Sequence, residues 1–308
     1  MRYNSIMPDR IVRTASPQAS AILEAVADAK RRSLRLPEDE EWLREQVEEK
    51  LAPRKLEGKL APLLQGMADR KSVYRVRRGR YVVAPRGSFS VKQAASTELF
   101  VDLVLGAQGD YYLSYLSALV AHRLTDVHST AAYAAIRQSS GFRDTHLELP
   151  GVELHIVRLS EGRWPTEERE LERVRIFPDA KEFVWRASLE RTLVDALSRP
   201  QLSAGFETVM SCWAVASKRE VNWDLVAAIG ERAGDSTARR TAFLLGLLGY
   251  GDVVERNFAT LGGRGRTVPL DRTNSYRLAH AERDSRTGVV VNVPVDHLRG
   301  WVAAAANG

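Results

Sequence analysis

Val73-Tyr74-Arg75-Val76-Arg77-Arg78-Gly79-Arg80-Tyr81-Val82-Val83 is the stretch that decides the reading of this chain. Its β-branched and aromatic residues favour extended backbone, and Arg78-Gly79-Arg80 supplies a turn in the middle. Two short strands joined at a glycine therefore follow. Three helical segments precede it. The first starts after Pro17 and places Ile22, Val26 and Ala29 on one face. Pro37 opens the second, whose first turn holds Glu38, Asp39, Glu40 and Glu41, where acids complement the helix dipole. Trp42, Leu43, Val47 and Leu51 form its apolar side, and Pro53 ends it.

The third helical segment carries Leu56, Leu60, Leu63, Leu64 and Met67 on one stripe, opposite Arg54, Gly58, Ala61 and Gln65. Pro62 either kinks this segment or opens a shorter helix, because an interior proline removes a hydrogen bond. Three helices and a hairpin make a winged helix-turn-helix plan. The fold class expected is α+β: a winged helix-turn-helix at residues 17–86, then a larger mixed α/β domain at 87–308. Residues 1–16 read as a loose tail.

Charge is focused on that hairpin. Between Asp69 and Glu98 there is no acidic residue, whereas Arg70, Lys71, Arg75, Arg77, Arg78, Arg80, Arg86 and Lys92 all fall there. Duplex DNA carries a phosphate charge about every 1.7 Å of axis, and neutralising it releases counterions. Arginine adds bidentate phosphate bonding and can enter a minor groove. The expected DNA contacts are Arg70, Lys71, Arg75, Arg77, Arg78 and Arg80, with Arg54, Lys55, Lys59 and Gln65 as groove contacts. The acidic second helix should face away from the duplex.

Across all 308 residues, 45 Lys and Arg against 39 Asp and Glu give a net charge of +6, a mild lean towards a polyanion. Cys212 is the only cysteine, so no intrachain disulfide forms; its apolar neighbours predict a buried, inert thiol. The N-terminus lacks a signal-peptide apolar stretch, and no run approaches the roughly 18 residues of a membrane span. A cytoplasmic protein without a membrane partner is expected.

Beyond Pro85-Arg86-Gly87-Ser88, which reads as a boundary, the patterns predict helices over 97–105, 114–122, 188–197, 206–216, 223–232 and 236–248. Strands are predicted over 152–159, 174–177 and 183–185, and a hairpin or paired strands over 276–295, with 303–308 frayed. Gly262–Arg266 reads as a basic surface loop.

Three further stretches accompany the wing. Tyr111-Tyr112-Leu113-Ser114-Tyr115-Leu116-Ser117-Ala118-Leu119 is followed by His122-Arg123-Leu124-Thr125. Glu190-Arg191-Thr192-Leu193-Val194-Asp195 comes next, and then Arg239-Arg240 and Leu247-Leu248-Gly249. With Tyr74–Tyr81, their order resembles the AbiEi family, the antitoxin half of abortive-infection toxin–antitoxin pairs, over about residues 20–295. Position 123 is arginine where the family has glycine, and Pro62 interrupts its recognition helix. The resemblance implies a repressor that binds inverted repeats at its own promoter, two copies together, and counteracts a nucleotidyltransferase-like toxin. The alternatives are a winged-helix nucleic-acid-modifying enzyme, a regulator without a toxin partner, and a scaffold for an acidic protein.

Signals for catalysis are weak. Gly87-Ser88 and Asp102 imitate a nucleotidyltransferase start, but Val104 stands where the second metal carboxylate belongs. The histidines (His122, His128, His146, His155, His280, His297) form no i, i+4 pair, so a zinc site is not expected. His122 ends a helix, where a cation is favourable. Glu190, Arg191 and Asp195 read as helix anchoring, with Arg191 and Asp195 as an i, i+4 pair. No enzyme activity, metal or cofactor is expected.

Overall fold

The computed structural model describes residues 16–56, 58–83, 96–106, 110–149, 151–178, 181–259, 261, 267–272 and 281–306. Both compact units of the chain mix helices with sheet. The first comprises Met1–Ser96 with Phe177–Glu182, the second Thr97–Ile176 with Phe183–Gly308. The expected tail before Ser16, the boundary around residue 86 and the loop 262–266 lie outside the described residues.

In the first unit, α1 spans Pro17–Asp28, and the Ser16 hydroxyl accepts from the Ala19 N–H at 3.2 Å. That contact satisfies one of the donors a helix start leaves open, and Pro17 has no N–H to satisfy. Strand β1 (Ser33–Arg35) follows, then α2 (Glu40–Leu51), α3 (Leu60–Asp69), β2 (Val73–Arg77) and β3 (Arg80–Val83). The strands form an antiparallel sheet in the order β1-β3-β2.

Ile22, Leu34, Leu43, Val47, Leu60, Leu64 and Met67 are all fully buried and join one core with Tyr81. Burying such a side chain contributes about 1.5–3 kcal/mol. Phe177–Glu182 belongs to this unit through polar bonds: Glu182 Oε1 accepts from the Arg32 N–H (2.5 Å), the Ser33 N–H (3.0 Å) and the Ser33 hydroxyl (3.1 Å). The Arg32 guanidinium also lies 4.0 Å over the Phe177 ring.

One expectation is corrected here, and one alternative is decided. Helix α2 begins at Glu40, and Pro37 sits in the preceding turn. The Asp39 carboxylate accepts from the Arg35 N–H (2.7 Å) and from Arg31 (2.6 Å), so it holds that turn rather than capping the helix. Helix α3 begins at Leu60, which places Pro62 in its first turn. Its absent N–H would have had no intrahelical partner there, so the proline leaves the helix unkinked, and of the two alternatives the shorter helix is the one observed, opening two residues before Pro62.

The second unit holds a six-stranded sheet in the order β6-β7-β5-β4-β9-β8. Its strands are β4 (Tyr111–Leu113), β5 (Ala131–Arg137), β6 (His146–Leu149), β7 (Val152–Leu159), β8 (Leu171–Arg175) and β9 (Phe183–Ala187). β5 pairs with β7 and β4 with β9 in parallel; the other neighbours are antiparallel. Helices α4 (Thr97–Leu105) and α5 (Tyr115–Ala121) precede β5.

A helical layer follows β9: α6 (Leu189–Ser198), α7 (Phe206–Ala216), α8 (Trp223–Arg232), α9 (Asp235–Leu247) and α10 (Gly251–Asn257). The fully buried Trp213 sits in its core with Leu193, Val226 and Leu244. Of the stretch predicted as a hairpin or paired strands, 276–280 lie outside the described residues. In the rest Arg283 bridges Val290 in antiparallel sense, the Asp284 N–H donating to the Val289 carbonyl and the Val291 N–H to the Glu282 carbonyl, each at 2.9 Å. Strand β11 (Val289–Val290) also runs parallel to β10 (Val268–Pro269). Of the end predicted to fray, 303–306 close α11 (Val295–Ala306), and 307–308 lie outside the described residues. No helix among the described residues is long and apolar enough to cross a membrane.

Candidate nucleic-acid interface

The β2–β3 tip is fixed by its backbone. Gly79 has φ 73, and its carbonyl accepts from the Leu36 N–H at 2.7 Å. A Cβ there would stand 2.6 Å from the Leu36 carbonyl oxygen, so only glycine fits without displacement. Beside it, Arg80 donates to both Glu38 oxygens (2.7 and 2.6 Å) and to the Leu36 carbonyl (3.2 Å). These hydrogen bonds pull the Glu38 carboxyl down to about 2. The turn after β1 and the hairpin tip are thus held together by one backbone bond and one bidentate ion pair.

Arg80 is the correction in the expected contact set. It is 7% exposed and its guanidinium is occupied by Glu38, so it braces the hairpin instead of presenting charge. Arg75, Arg77 and Arg78 are exposed on the same hairpin. Arg75 donates to Gln65 Oε1 at 2.5 Å, and Gln65 Nε2 donates to Asp69 at 2.9 Å. Gln65 therefore spends both ends of its amide on positioning Arg75.

Helix α3 turns Ala61, Pro62 and Asp69 to solvent, with Gln65 half-buried beside them. A groove of about 540 Å³ runs between it and the hairpin, lined by Ala61, Pro62, Gln65, Arg75 and Arg78 among others. Arg70 and Lys71 are exposed where α3 ends. Arg54, Lys55 and Lys59 are exposed but precede α3, so they lie on the α2–α3 connection and not on a helix face. Arg86 and Lys92 fall outside the described residues.

The groups considered for chemistry are mostly engaged. Arg191 donates to Asp195 Oδ1 (2.9 Å), Glu170 Oε2 (3.1 Å) and the Arg163 carbonyl (2.6 Å). Asp195 Oδ2 accepts from Ser114 (2.8 Å) and Tyr112 (3.1 Å), and the fully buried Glu170 also receives Arg232 at 2.6 Å. Charges this buried persist only when paired. Glu170 and Tyr112 escaped the sequence reading because the sheet assembles the cluster from distant segments. Glu190 accepts from the Asn222 N–H at 3.1 Å.

Burial lowers the pKa of His122, whose Nε2 sits 2.8 Å from the Ala187 carbonyl, so its ring ties the end of α5 to the end of β9. Burial pushes the Cys212 thiol up to about 12. Asp102 is buried and accepts from the Tyr111 hydroxyl at 2.6 Å. His146 and His155, opposite each other on β6 and β7, have ring centroids 4.9 Å apart, and Tyr133 stacks on His155 at 5.1 Å. Among the described residues no three His, Cys, Asp or Glu side chains come together as metal ligands.

The fold, rather than any sequence family, is what comparison with known proteins recovers. No family model matches the chain, and no curated protein does. The crystal structure of the RV2827C protein from Mycobacterium tuberculosis is similar, with a TM-score of 0.61 over 92% of this chain and 94% of that one, at 15% identity. At that identity the likeness concerns the arrangement of helices and strands alone.

Proposed function

We propose that this chain is a DNA-binding repressor of the AbiEi antitoxin type, whose first unit is a winged helix-turn-helix. The order α1-β1-α2-α3-β2-β3 with a β1-β3-β2 sheet supports that reading, since it follows the winged-helix plan. The observation that carries it is the exposed Arg77-Arg78 pair at the tip of a hairpin braced from behind by Arg80 and Glu38. A braced hairpin loses little freedom on docking, so its guanidinium groups meet phosphate at low entropic cost.

Arg75, positioned by Gln65, extends this surface along the groove, with Arg54, Lys55, Lys59, Arg70 and Lys71 at its margins. In this reading the larger unit is non-catalytic and serves against a nucleotidyltransferase-like toxin, and two copies bind an inverted repeat. A duplex drawn from just upstream of the chain's own gene tests it by fluorescence anisotropy. The upstream duplex should bind more tightly than an unrelated duplex of equal length, and co-expression should relieve the toxicity of the adjacent gene's product. Equal affinity for both duplexes, or toxicity unchanged by co-expression, would contradict the proposal.

A further inference from the structure

A second concentration of positive charge lies in the larger unit. A recess of about 490 Å³ is lined by Arg163, Ser198, Arg199, Gln201, Thr237 and Arg272. They arrive from separate parts of the chain: Arg163 from the turn after β7, Ser198 and Arg199 from the end of α6, Thr237 from the first turn of α9, and Arg272 from beyond β10. No described carboxylate forms an ion pair with Arg163, Arg199 or Arg272. Like charges gathered around one hollow repel each other, which is unfavourable unless an anion sits among them.

Arg240 supplies the second observation. It is fully buried on α9, one turn beyond Thr237. Its Nε donates to the Ser236 carbonyl and its Nη1 to the Leu197 carbonyl, each at 3.0 Å, and Nη2 has no hydrogen-bond partner. Leu197 immediately precedes the lining residue Ser198. Among the described residues no carboxylate forms an ion pair with Arg240; burial first, and Arg272 second, lower its pKa to about 10, with Asp271 opposing. A guanidinium this buried, satisfied only by carbonyls, is expensive, and negative charge beside it offsets that expense.

We infer that this recess binds a small phosphate-bearing molecule of nucleotide size, its phosphates held by Arg163, Arg199 and Arg272. The volume lies within the roughly 300–1,000 Å³ of small-molecule sites and exceeds what a single inorganic anion fills. The hydroxyls of Ser198 and Thr237 and the Gln201 amide supply neutral partners for a phosphate ester or sugar, whereas a lipid chain would find little apolar surface. Arginine forks match phosphate geometry bidentately. The inference is independent of the DNA-binding proposal, because the recess belongs wholly to the second unit.

Calorimetry on the full chain with pyrophosphate and with ATP, both without metal, tests it. Saturable one-to-one binding is expected, weakened at least about tenfold in Arg199→Ala/Arg272→Ala through the lost charge-assisted bonds. Arg272→Lys should fall between, since it keeps a charge without the fork. Arg77→Ala/Arg78→Ala should bind as the wild type does. Circular dichroism of the recess variants confirms that they fold, as expected for half-buried or exposed side chains. Absence of saturation, loss of binding only in the hairpin variant, or displacement of ATP by duplex DNA would each overturn the inference.

Discussion

Arg80 shows how one residue changes meaning between sequence and structure. In the sequence it is one more cation in a basic run. In the fold it is the brace of the hairpin, because β1 pairs with β3 and brings Glu38 beside it across 42 residues of chain. No local spacing encodes that contact. Replacing Arg80 with Met keeps the aliphatic stem, unpairs Glu38 and should destabilise the first unit by about 1–2 kcal/mol in urea unfolding. The pH dependence has a definite sign. Glu38 titrates near 2 in the folded state and at its ordinary value near 4.5 when unfolded. Its contribution is therefore complete above about pH 4.5 and is lost as pH falls towards 2. Because the Glu38 side chain is 52% exposed, solvent screening keeps that contribution below about 1 kcal/mol. The stability gap between wild type and Glu38→Gln should shrink from pH 6 to pH 3; a constant gap would contradict the pairing.

At the scale of elements, the hairpin was legible because alternation, turn and charge coincide within residues 73–83, and α4, α7 and α8 were legible from periodicity. The three-residue β1 was not, being too short to show alternation. Nor was β5, whose Ala131-Ala132-Tyr133-Ala134-Ala135-Ile136 has little β preference by itself and becomes a strand by pairing with β7 over its whole length. Two positions with positive φ, Gly79 and Arg123, bear predictions. Gly79→Ala combines φ 73 with a collision against the Leu36 carbonyl, and should destabilise by about 1–3 kcal/mol while weakening DNA binding. Arg123 is the other. It adopts φ 54 just past α5, where its N–H reaches the Val120 carbonyl and the Leu124 N–H the Leu119 carbonyl, each at 2.9 Å. This is a left-handed helix stop, which glycine adopts freely. Arg123→Gly should therefore raise stability by up to about 1 kcal/mol in denaturant titration; a loss would contradict the strain account.

For the whole molecule, the sequence carried the mixed α and β character, whereas the six-stranded sheet order and the arginine recess arise only from long-range pairing. Of the candidate contacts, the hairpin arginines were readable as charge, but which of them faces outward was not, since exposure depends on the sheet beneath. The claim that Arg77 and Arg78 present charge to phosphate, while Arg80 supports them from within, has a direct test. Full-length wild type, Arg77→Ala/Arg78→Ala and Arg80→Met are titrated with the upstream duplex across a salt series. The plot of log affinity against log salt should lose about two units of slope in the double variant and keep its slope in Arg80→Met. Identical slopes for wild type and the double variant would contradict the account.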